Sequence, residues 1–151
     1  MNFQPADPGF AARVRASFER QGFMQRLGAE LAAVEAGYCE IRLPFREDLG
    51  QQHGYFHAGA MAAVGDSAGG YAAYTLMGAS DSVLTVEYKI NLLAPGQGEE
   101  VVARAQVVRP GRTLTVCKID VFAVAAGAET LCATMQQTVI RLADRPDSGG
   151  R

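Results

Sequence analysis

The chain has 151 residues, 48% hydrophobic and 20% charged, which is enough for one compact domain with a single core and too little for two full domains. Its 14 Lys and Arg against 16 Asp and Glu leave a net charge of −2, which excludes long-range attraction to nucleic acid or to an anionic membrane surface. Cys39, Cys117 and Cys132 are odd in number and far apart; they match neither a disulfide framework nor a metal-ligand spacing, and read as buried thiols of a cytoplasmic protein.

The first ten residues contain Pro5, Asp7 and Pro8 and no apolar run, so no secretory signal is expected. Phe10, Val14 and Phe18 then recur at i, i+4 and i+8 among Arg13, Arg15, Glu19 and Arg20, which predicts an amphipathic helix over about 8–24. Two strands are expected at 27–34 and 38–45, because Cys39, Ile41 and Leu43 alternate with Glu40 and Arg42, with Gly37 between the runs and Pro44 closing the second. From Gly54 to Ser80 the only formally charged side chain is Asp66, and the run 58–77 has the length of a membrane span. Its Ala and Gly content, the central Asp66 and the lack of flanking basic clusters predict instead a helix enclosed by protein.

The run 82–93 predicts a strand with Leu84, Val86, Tyr88, Ile90 and Leu92 on one face and Thr85, Glu87, Lys89 and Asn91 on the other. Runs 100–109 and 113–125 flank Pro110-Gly111-Arg112 as a hairpin, and a last strand at about 129–141 follows a turn at Ala126-Gly127. The tail 144–151, rich in Pro, Asp, Ser and Gly, is expected to be loose. The whole reads as one α+β domain over 1–151, a mainly antiparallel sheet of about six strands wrapped around one long helix.

The informative stretch for chemistry runs from Gln51 to Tyr71. An Asp inside a helix of Ala, Gly, Met, Val and Tyr must be paired, desolvated or functional, because a lone buried carboxylate is costly. A bond to a nearby Ser, Thr or Tyr that merely fixes packing is the plain alternative. His53 and His57 are too few to hold zinc, and no metal site is expected. His57 stands where the long helix begins, and the N–H groups of Ala58, Gly59 and Ala60 would form an anion-binding end able to polarise a carbonyl oxygen. Gly54 and Gly59 allow a ligand close to the backbone, or serve only as turns. On one helix, residues nine apart differ by about 900° and by ~13 Å along the axis. If His57 and Asp66 act on one substrate atom, two chains must therefore supply them, which implies a symmetric homodimer with shared sites.

These residues resemble the hotdog-fold acyl-CoA thioesterases, specifically the branch with the phenylacetate-pathway and human thioesterase-superfamily-member types. That family's pattern is a polar amide, His-Gly-Gly at a helix entrance, an Asp nine residues after the His, and a Ser or Thr after the helix. It falls here on Gln51, His57-Ala58-Gly59, Asp66 and Thr85. The resemblance covers about 27–141, and the segment 91–96 is similar to the family's turn after its third strand. Ala58 replaces the first Gly, so the oxyanion donor would be an Ala N–H, and Gln51 replaces the usual Asn. The resemblance implies hydrolysis of an acyl-CoA thioester without metal or bound cofactor, coenzyme A being part of the substrate. Asp66 would act as base or nucleophile, Ala58 N–H as oxyanion donor, Gln51 and Thr85 as orienting groups, and His57 as support for the loop and thioester. A dimer of dimers is expected. Arg109 and Arg112, flanking the Pro110-Gly111 turn, are candidates for the coenzyme phosphates. Tyr55, Phe56, Tyr71, Tyr74 and Met77 are candidates for an acyl pocket or plain core.

Two alternatives remain. Asp48 and His53 have the D-x4-H spacing of the enoyl-CoA hydratases on the same fold, but the Asn-Pro inside that motif is replaced by Leu49-Gly50-Gln51-Gln52. A non-catalytic acyl-CoA-binding protein would need an output element, and the region before Leu27 has room for one helix and carries no basic patch.

Overall fold

The computed structural model describes residues 3–147. Six strands form one antiparallel sheet: β1 (Glu30–Glu35), β2 (Tyr38–Pro44), β3 (Ser82–Leu92), β4 (Glu100–Pro110), β5 (Leu114–Ala125) and β6 (Ala128–Leu142), in spatial order β1-β2-β4-β5-β6-β3. The helix α3 (Ala58–Tyr74) packs against β2, β3, β4, β5 and β6, so the sheet wraps it as expected for a hotdog fold. At 17 residues it is short for a bilayer, and among the described residues no helix is long and apolar enough to cross a membrane.

Small residues let the sheet close on this helix. Met135 and Gln137 point inward from β6 against Gly65 and Gly69 of α3; a Cβ at either glycine would collide with the tip of the facing side chain. The spacings match, since two residues of strand advance ~6.8 Å and four of helix ~6 Å. The three cysteines are buried among the core residues, and burial pushes the Cys39 and Cys117 thiols up to about 12.

The expected helix at 8–24 is two helices, α1 (Phe10–Glu19) and α2 (Gly22–Leu27), broken at Arg20-Gln21 where the chain turns so that Met24 and Leu27 reach the core. Gln21, at ψ 87°, leaves the helical region and becomes the N-cap of α2. Leu27 ends α2 with Gly28 as its left-handed cap at φ 77°, so β1 begins at Glu30 and not at residue 27. Arg13 fixes α1 to the far end of α3: it donates to the carbonyls of Tyr74 (3.3 Å) and Met77 (2.9 Å), lies 4.1 Å over the Tyr74 ring and pairs with Asp7 at 2.8 Å.

The faces of β3 also differ from strict alternation. Thr85 pairs with Val139 and Glu87 with Thr138, leaving Val86 as a bulge. Leu84, opposite Ile140, therefore faces outward while Tyr88, Ile90 and Leu92 face the helix side, and Thr85 turns inward instead of lying with Glu87, Lys89 and Asn91. Of the tail, 148–151 lie outside the described residues. The preceding part is tied down, with Asp144 N–H donating to Asp81 Oδ1 at 3.3 Å and Asp147 paired with Arg20 at 2.9 Å.

Candidate active site

The segment leading into α3 is held by backbone bonds. Gln51 N–H donates to Tyr55 O (2.8 Å), Phe56 N–H to Gly96 O (2.8 Å) and His57 N–H to Leu49 O (2.9 Å), with Gly54 at φ 81° making the turn. His57 is the N-cap: its backbone is extended and its Nδ1 accepts the Gly59 N–H at 2.8 Å, which places the neutral ring's proton on Nε2. Ala60 N–H bonds to His57 O at 2.9 Å. The expected trio of free donors is thus reduced to one, since capping consumes two; among the described residues Ala58 N–H is the donor left without a partner. Ala58 borders a cavity of about 550 Å³ lined also by Gln51, Tyr55, His57, Leu92 and Leu93. Gln51 Oε1 accepts from His53 N–H, so this amide also braces the loop. Phe56 is core, edge-on to Phe45 at 5.0 Å, although it borders the same cavity.

Asp66 lies two helical turns further on and opens on a different cavity, of about 450 Å³, bordered by Ser67, Tyr71, Tyr74, Leu84 and Thr85 and roofed by Ser17, Arg20 and Gln21. The two cavities share no lining residue. The half-buried Asp66 carboxylate is anchored through one oxygen: Oδ1 accepts from Thr85 Oγ1 at 2.7 Å and from Gln137 Nε2 at 2.6 Å. Oδ2 takes no bond among the described residues, and Asp66 borders the cavity. Burial pushes the neighbouring Tyr71 hydroxyl up to about 12, so it stays neutral.

Gln137 was not among the expected site residues. Its signal is a polar side chain at an inward position of β6, in register with buried Ala133, Met135 and Val139. It is fully buried, and its Oε1 has no partner, a cost of ~1–3 kcal/mol for an amide oxygen.

Other expected residues stand apart. Arg109 and Arg112 are exposed at the β4–β5 turn and border neither cavity, and Met77 is buried and borders neither. Asp48 is held by Arg46 at 2.8 Å, the guanidinium keeping its carboxyl below the ordinary range. Neither Asp48 nor His53 lines either cavity.

The family profile described as Thioesterase superfamily matches residues 53–129, the stretch from the helix entrance through β5. A thioesterase family protein from Silicibacter pomeroyi is 47% identical, with a TM-score of 0.87 over 89% of this chain and 98% of that one. A "putative esterase" of Saccharolobus solfataricus is 34% identical over 71% of this chain and 69% of its own length. The 1,4-dihydroxy-2-naphthoyl-CoA hydrolase of Listeria monocytogenes is 27% identical over 66% of this chain and 81% of its own. The E. coli PaaI protein of the phenylacetic acid degradation operon, 18% identical, shares the fold with a TM-score of 0.81 over 93% of this chain and 99% of that one. With the profile covering the capped helix entrance and Asp66 together, the chain belongs to the thioesterase superfamily, whose chemistry is thioester hydrolysis.

Proposed function

We propose that this protein hydrolyses acyl-CoA thioesters in a homodimer whose two active sites each combine the helix entrance of one subunit with Asp66 of the other. The observation that carries this reading is the division of labour between the cavities: one holds an unpartnered N–H, at Ala58, and the other an unpartnered carboxylate oxygen, at Asp66.

Strand β3 supports the assembly. It is a sheet edge with a free backbone rim, and Leu84, Val86, Tyr88, Leu92 and Leu93 are all exposed on or beside it. Leu92 and Leu93 line the entrance cavity, whereas Leu84 and Thr85 line the Asp66 cavity. Antiparallel pairing of β3 with its two-fold mate, centred near Tyr88, sets the Leu92 end of one chain beside the Leu84 end of the other. That operation joins the entrance of each subunit to the Asp66 of its partner.

In such a site the thioester carbonyl oxygen accepts the Ala58 N–H, which stabilises the tetrahedral oxyanion at the positive end of α3. Asp66 Oδ2 takes a proton from a water that adds to the carbonyl carbon, or adds there itself to give a mixed anhydride that water cleaves. In the first route the protonated Asp66 returns that proton to the sulfur as the C–S bond breaks and coenzyme A leaves as the thiol; in the second coenzyme A leaves as the thiolate and takes up one of the protons released when water cleaves the anhydride. Neither route calls for a metal or a bound cofactor. The experiment is a panel of acetyl-, hexanoyl-, palmitoyl-, benzoyl- and crotonyl-CoA with purified protein, following both free thiol and enoyl absorbance. Thiol release that Asp66→Asn lowers by roughly a hundredfold or more supports the proposal. Enoyl loss without thiol, or full activity in Asp66→Asn, overturns it.

A further inference from the structure

Gln137 is anomalous for a core residue. It is fully buried, yet an apolar side chain of its shape would fill the same space without leaving Oε1 unpartnered. Its Nε2 end explains its presence: that nitrogen lies 2.6 Å from Asp66 Oδ1, 3.0 Å from Asp66 O and 3.0 Å from Thr85 Oγ1. The three acceptors fix the orientation of the amide, because the opposite flip would set its oxygen against the carboxylate. The Oε1 end occupies the place where a side chain at position 69 would stand, and a Cβ on Gly69 would overlap it.

We propose that Gln137 is a positioning residue for Asp66, and that Gly69 is glycine because the Gln137 amide needs that space. With Thr85 it binds the carboxylate through Oδ1 alone, which fixes the rotamer and leaves Oδ2 as the reacting oxygen. Anchorage from β6, a strand inside the sheet, makes the direction of Oδ2 independent of the mobile substrate. The proposal rests on Asp66 being the group that acts on the thioester.

The test compares wild type, Gln137→Met, Gly69→Ala and the double variant Gly69→Ala/Gln137→Ala with Gln137→Ala, using whichever acyl-CoA of the panel is turned over fastest. Gln137→Met keeps the volume and removes the donor. It should lower kcat by roughly ten- to a hundredfold with KM nearly unchanged, the scale of one hydrogen bond to a charged group. Gly69→Ala should reproduce this kcat loss, with KM nearly unchanged, by displacing the amide, and should add nothing to kcat once Gln137 is Ala. It also carries the test if Gln137→Met does not fold. An unchanged kcat, or a kcat loss matched by an equal rise in KM, in folded Gln137→Met or Gly69→Ala, beside an inactive Asp66→Asn, would overturn this proposal alone. An active Asp66→Asn would instead remove the reading on which it rests.

Discussion

Thr85 Oγ1 donates to Asp66 Oδ1 across 2.7 Å from a strand position that strict alternation would have turned to the outside of the sheet. The bulge at Val86 makes the bond possible: it takes up one residue between Thr85 and Glu87, so that both Thr85 and Tyr88 face the helix. Thr85→Val should therefore lower kcat by roughly tenfold or more while Thr85→Ser stays near wild type. Steady-state kinetics on the two variants, with circular dichroism to verify folding, check this.

The same bulge marks the limit of what periodicity reveals. Alternation located β3 and its length, since pattern depends on most residues of a strand; the face of Thr85 depends on one inserted residue whose type, Val, fits any strand position. Asp66 was legible because a carboxylate amid Ala and Gly has few explanations. Gln137 was not, because its significance comes from lying opposite Gly69 across the core, 68 positions away in the chain. At the helix entrance the residues were correctly placed but their bonds were not foreseen, since a His can cap a helix through Nδ1 as Asp or Ser does through oxygen. The single expected N-terminal helix failed at Arg20-Gln21, where the apolar spacing of Met24 and Leu27 gives no sign of the change in direction.

Arg13 holds the roof of the Asp66 cavity from a distance. Its guanidinium closes the C-terminal carbonyls of α3 and carries α1, which supplies Ser17 and Arg20 to the cavity rim. Arg13→Ala should lower the melting temperature by roughly several degrees and raise KM for acyl-CoA more than it lowers kcat, because the roof loosens while Asp66 keeps its anchors. A thermal scan and a KM-against-kcat comparison separate the two effects.

Asp81 makes stability depend on acid. Burial would raise its carboxyl, but the Arg141 guanidinium at 2.7 Å and the N–H groups of Gly78 and Asp144 outweigh burial and hold it below the ordinary value of 3.8. A carboxyl lowered in the folded state stabilises the fold above its unfolded value, and that contribution fades as pH falls through the lower folded value. Melting temperature should therefore drop below about pH 4. Asp81→Asn should be less stable at pH 7 and show a flatter acid slope, as thermal scans across pH 2–7 would register.

The shared-site geometry can be tested by removing one atom pair from each half. Ala58 is the first residue of α3, the helical position that proline tolerates best, and His57 before it has φ −63° and ψ 137°, the extended conformation that a following proline requires. Ala58→Pro should thus delete the oxyanion N–H while the helix still forms, and leave the protein folded but without turnover. Asp66→Ala should be inactive for the complementary reason. When the two inactive chains are unfolded and refolded together, random pairing makes about half of the dimers mixed. In each mixed dimer one site collects both lesions, and the other combines the intact Ala58 entrance of one chain with the intact Asp66 of its partner. Activity should return to roughly a quarter of wild type, since about half the dimers each carry one working site of two. Absence of recovery in a sample shown by native mass spectrometry to contain mixed dimers would mean that each subunit builds its site alone, contrary to the separation of the two cavities.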